Sequence, residues 1–115
     1  MPLKRYVTEM GMGIDVHGGD YTKAARRAIS DAIRHSSLNF FAHTDKSHDE
    51  MQIQVKLGVG NPDAIDDDAK AAIAGELPYG HVTVFPEKGG LDVPGEHGDI
   101  MVIATVAILV CFEEP

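Results

Sequence analysis

The stretch Gly11-Met12-Gly13-Ile14-Asp15-Val16-His17-Gly18 changes character at every step. Gly11, Gly13, Asp15 and His17 share one parity; Met12, Ile14 and Val16 share the other. Successive side chains of a β-strand point to opposite faces. Read as a strand, the segment lines up two bare glycines, a carboxylate and an imidazole, with an apolar row behind them. The apolar row is the expected core face, and the polar row the expected site. Bare glycines there would let a ligand or another backbone come close to the sheet.

The strand extends outward from this stretch over Arg5 to Val16 and breaks at Gly18-Gly19, where Asp20 is a good N-cap. A helix follows over Tyr21 to His35. Ala24, Ala25, Ala28, Ile29, Ala32 and Ile33 make an apolar stripe at helical period, and Lys23, Arg26, Arg27, Asp31 and Arg34 form its wet side. Asn39 to Glu50 is irregular and polar. A second strand is plain in Met51, Ile53, Val55, Leu57 and Val59 alternating with Gln52, Gln54, Lys56 and Gly58.

Gly60-Asn61-Pro62-Asp63 then opens a second helix with Pro62 at its first position, acids near its start and a stop at Leu77-Pro78-Tyr79-Gly80. The third strand is His81 to Phe85, Glu87 to Asp99 is a Gly/Pro-rich loop, and the fourth strand is Ile100 to Phe112. The order β-α-β-α-β-β predicts a single α+β domain over residues 1–115. The expected architecture is a two-layer sandwich, a four-stranded mixed sheet with two helices on one face.

Composition narrows the function. The 115 residues are 43% hydrophobic and 24% charged, with a formal net charge of −8. Nucleic acids and anionic membranes select for clustered Lys and Arg, so neither is an expected partner. One cysteine, Cys111, forbids an internal disulfide and fits a reducing, cytoplasmic compartment. The N-terminal residues lack the apolar run of a secretory signal, and Ile100 to Phe112 is too short to span a bilayer as a helix.

The fourth strand is apolar on both faces, and such strands are usually covered on both. Two helices cover one face only. A second copy of the chain is the expected cover for the other, making the protein a homo-oligomer; the alternative is that the loops Asn39 to Glu50 and Glu87 to Asp99 fold over that face. Parity puts Gln52, Gln54, Lys56, His81, Thr83 and Phe85 on the same face as the Gly/Asp/His row. The expectation is therefore a pocket for a small-molecule ligand at a subunit interface.

Three chemistries suit the row. Asp15 beside His17 makes an acid–base pair, the carboxylate setting the imidazole's tautomer and charge. Asp15 and His17 also suit a divalent metal, with His43, His48, His81 or His97 as further ligands. The Gly18-Gly19 bend before a helix suits an anion, but Asp15 and Asp20 flank it and no Walker lysine follows. Gly11, Gly13, Gly18, Lys56 and His81 complete the candidate ligand site. Cys111 reads as core.

The run Gly11-x-Gly13-x-Asp15-x-His17-Gly18 resembles the G-x-G-x-D-x-H-G signature of a small family of conserved bacterial proteins with longer plant members. The likeness extends through the Ala-rich helix, the alternating second strand, Leu77-Pro78-Tyr79-Gly80 and Gly89-Gly90-Leu91. It implies that the motif residues define the family, and it supplies no reaction or cofactor. The leading expectation is a small homo-oligomeric enzyme acting on a small polar molecule through Asp15 and His17. The alternative is a non-catalytic small-ligand or metal-binding oligomer in which these residues hold structure or ligand. A third reading has the Asp–His pair only tying down the glycine turn.

Overall fold

A strand with no polar face belongs in the middle of a sheet, and β5 (Ile100–Glu113) lies there. The computed structural model describes residues 2–34, 48–78 and 80–114. Along one side β5 pairs antiparallel with β1 (Leu3–Asp15), from Leu3↔Glu113 to Asp15↔Val102. Along the other it pairs antiparallel with β2 (Gln52–Val59), which pairs in parallel with β3 (His81–Lys88). The sheet order is β1-β5-β2-β3.

A fifth, short strand was hidden in the expected loop. Pairing of β2 with β5 stops at Gly58↔Thr105, and β4 (Leu91–Pro94) takes over the same line from Leu91↔Ile103 to Pro94↔Ile100. The chain reaches that line from β3 by crossing the end of β2 at Gly89-Gly90. A Cβ on Gly89 would stand 3.1 Å from the Gly58 Cα, a tight contact that bare glycines on both sides avoid. The third strand accordingly runs three residues beyond its expected end.

Two helices cover one face, as expected. Helix α1 (Tyr21–Arg34) buries Ala24, Ala25, Ala28, Ile29 and Ala32. They meet Ile53, Val55, Leu57 and Val59 of β2 and the even-numbered β5 residues Val102 to Phe112 in one apolar cluster. Each fully buried Val, Leu or Ile there stabilises by roughly 1.5–3 kcal/mol. Helix α2 (Asp67–Ala74) packs beside β3 and adds Ile73. It starts later than expected: Pro62–Ala64 makes one 3₁₀ turn, Ile65 is extended, and Asp66 caps a new helix by accepting the Ala69 N–H at 2.8 Å. Asp66→Ala should therefore cost about 1 kcal/mol, read from the urea midpoint.

The two rows of β1 are segregated as the alternation predicts, but their faces are exchanged. Gly11, Gly13 and Asp15 face the helices, opposite Val106, Ala104 and Val102. Met10, Met12, Ile14 and Val16 are exposed, Met10 by 70%. The pairing register also slips between Arg5 and Val7, so Arg5 leaves the row that unbroken alternation gave it.

Candidate functional site

Asp15 closes β1 and is the one charged or polar side chain buried among the described residues, at 2% exposure. Its Oδ2 accepts the Asp20 N–H at 3.0 Å. Its Oδ1 faces Lys23 Nζ at 3.7 Å and Arg27 Nη1 at 3.9 Å. The Asp20 N–H is the chief reason the Asp15 carboxyl lies below its ordinary pKa; burial opposes this, while Lys23, the His17 N–H and Arg27 reinforce it. Asp20 in turn caps α1, its Oδ1 accepting the Lys23 N–H at 3.0 Å. Gly18 and Gly19, with φ of +86° and +60°, supply the left-handed backbone that brings strand end and helix start together. Gly19 N–H then donates to the Ile100 carbonyl at 3.1 Å, anchoring the turn on β5.

His17 does not pair with Asp15. The strand ends at Asp15, so the alternation that aligned the two side chains no longer applies two residues later. The His17 Nδ1 lies 3.3 Å from Asp99 Oδ2 instead, with the two side chains 82% and 61% exposed. The expected acid–base couple is thus split between a buried carboxylate held by cations and a surface imidazole held by another acid. A shared metal does not fit this division, and among the described residues no three His, Cys, Asp or Glu side chains converge. His43 and the side chain of His48 lie outside the described residues.

The space that Gly11 and Gly13 open is filled by backbone. A Cβ on Gly11 would lie 2.5 Å from Ala28 O and 2.6 Å from Ala32 N. Of the two uses expected for these glycines, close approach of another backbone is the one realised, and a ligand has no room there. The helix also tends the strand's rim: Met12 N–H donates to Asp31 at 3.0 Å, and Arg27 donates to the Ile14 carbonyl at 2.6 Å. Gly18 faces open space.

Lys56 and His81 belong to the other side of the sheet. They share the outward parity of β2 and β3 with Gln52, Gln54, Thr83 and Phe85, and Lys56 Nζ stands 5.0 Å over the Phe85 ring. The single ligand site expected from Asp15, His17, Lys56 and His81 is therefore divided by the sheet.

Two features escaped sequence reasoning. Tyr21 donates its phenol to Asp92 Oδ2 at 2.5 Å, tying the start of α1 to β4. That bond, with burial, holds the phenol above its ordinary pKa. No spacing links Tyr21 to an acid in a Gly/Pro-rich segment. The other feature is a groove of about 280 Å³ lined by Lys23, Arg26, Arg27, Ser30 and Glu76. Its signal was present in the i, i+3, i+4 spacing of three cations, which reads first as an ordinary wet helix face.

The pattern of one protein family matches residues 5–110, from β1 through both helices into β5. The chain belongs to the Lin0512_fam family of conserved hypothetical proteins. Its fold is also that of a crystal structure from Nostoc punctiforme, an FtsZ-like protein of unknown function. That chain is 35% identical, with a TM-score of 0.83 and 99% of each chain covered. No curated protein matches the sequence. The Lin0512 assignment agrees with the resemblance read from the sequence, and like that resemblance it names no reaction. Among the described residues, no helix is long and apolar enough to cross a membrane.

Proposed function

We propose that this protein is a self-associating, non-catalytic module in which copies meet through the open face of the sheet. One observation carries the reading: the chemistry of that face. From Met101 to Leu109 of β5 and across the strands beside it, outward positions are Met10, Met12 and Ile14 of β1, Ile103 of β5, and Leu91 and Val93 of β4. Gln52, Gln54, Lys56, His81, Thr83 and Phe85 continue the surface over β2 and β3. Among the described residues, Glu87 is the one acidic residue on this area.

A chain carrying −8 repels its own copy almost everywhere, and here it presents a face nearly free of carboxylates. Four strand lines of about eight residues measure roughly 500 Å² in plan, before side-chain relief is counted. That approaches the ~800 Å² per partner of a standard interface. A flat apolar surface is also self-complementary, as a two-fold contact requires.

Catalysis by Asp15 and His17 has less support. An acid–base couple needs its members in contact, and Asp15 faces Lys23 and Arg27 while His17 faces Asp99. A cytoplasmic location is part of the same proposal, and the single, buried cysteine is compatible with a reducing compartment. Sedimentation of the wild-type chain over a concentration series should give a multiple of 12.4 kDa. Met12→Lys with Ile103→Lys should give a monomer with unchanged circular dichroism. A wild-type chain that stays monomeric at high micromolar concentration would overturn the reading.

A further inference from the structure

We infer that the groove on the exposed side of α1 binds a small phosphate-bearing molecule. Lys23, Arg26 and Arg27 occupy one helix face, and like charges at this spacing disfavour a helix unless something offsets them. The groove therefore concentrates positive charge on a chain whose net charge is −8. Among the described residues one carboxylate lines it, Glu76, which accepts from the Arg26 Nε at 2.7 Å.

The other two cations are held from beneath. Asp15, at 2% exposure, stands 3.7 Å from Lys23 and 3.9 Å from Arg27. Arg27 is further fixed by its 2.6 Å bond to the Ile14 carbonyl. The motif carboxylate is thus a positioning residue: it orients two cations without entering the groove, so less ordering remains when an anion arrives. Ser30 adds a hydroxyl that both donates and accepts.

Against the Glu76 and Asp15 carboxylates the three cations leave a net charge of +1, which attracts an anion, and planar guanidinium forks suit phosphate oxygens. A volume of about 280 Å³ is near the lower end of small-molecule sites. The groove lies on the helix layer, away from the open sheet face, so it stands whether or not copies associate.

The test is a titration of the full chain with glycerol 3-phosphate at low salt, followed by calorimetry and amide NMR. Inorganic phosphate, succinate and sodium chloride at matched ionic strength run in parallel. Glycerol 3-phosphate should bind saturably, shift the amides of residues 23–30, and outcompete succinate. Arg26→Gln and Lys23→Gln should each weaken binding roughly tenfold, the worth of a charge-assisted contact. Glu76→Gln should tighten it several-fold by removing a repelling carboxylate from the groove's lining, a gain that a purely structural Arg26–Glu76 pair would not give. Absent saturation, a response reproduced by sodium chloride, tighter binding of succinate, or weaker binding by Glu76→Gln overturns the proposal.

Discussion

Gly13→Ala should lower the unfolding free energy by about 3 kcal/mol or more, a large share of the 5–15 kcal/mol that holds a domain together. The added methyl is small, but its neighbours are main-chain atoms. It would stand 2.8 Å from Arg27 C and closer still to Ala24 O and Ala28 N. No rotamer change relieves a clash with helix backbone, so α1 must lift off β1 as a body. Lifting it loosens the contacts of Ala24, Ala28 and Ile29, all fully buried, and pulls Asp31 and Arg27 away from the strand rim. Gly11→Ala should behave alike. Gly18→Ala meets nothing within 4 Å and carries only the strain of its positive φ, about 1–2 kcal/mol. Urea unfolding with an unchanged slope checks the ordering; a Gly13→Ala variant as stable as Gly18→Ala would contradict the close approach of helix and strand.

That close approach explains what the sequence concealed. Alternation in β1, helical period in α1 and double-sided apolarity in β5 were all legible, because each is a local pattern set by backbone geometry. Which face of β1 turns inward was not local. Met12 and Ile14 look like core by hydropathy, yet apolar residues are free to stay outside, and the inside rule runs one way. The deciding signal was size matched to size. Alanines at 24, 25, 28 and 32 make a helix face shallow enough to lie on bare glycines, and a Met/Ile row would have held it off. Once the face is exchanged, Lys56 and His81 part company with Asp15, although their own parity was read correctly. β4 stayed hidden for another reason: a four-residue strand with Asp92 and Pro94 has too little pattern to stand out from a turn.

Asp15→Asn should lower the melting temperature by several degrees at pH 7 and remove part of the protein's loss of stability in acid. The native carboxyl titrates below its ordinary value because the Asp20 N–H, Lys23 and Arg27 favour its charged form over the cost of burial. A depressed native pKa makes a contribution that is complete above the unfolded value of about 3.9 and is lost as pH falls through the native one. The gap between wild type and variant should therefore be full at pH 6–7, narrow below about pH 4, and close in stronger acid. The amide can still accept from Asp20, though more weakly than a carboxylate, so the comparison reads the lost charge: the strengthened bond from Asp20 together with the attraction to Lys23 and Arg27. His17→Ala removes an exposed pair with Asp99 and should leave the melting curve nearly unchanged. Melting curves from pH 2 to 7 decide the matter: a constant gap across that range would mean that Asp15 acts through shape and not charge. A gap that closes in acid means that the motif's carboxylate works as a buried counter-charge, holding the start of α1 and the cations of its groove while its histidine neighbour stays outside that arrangement.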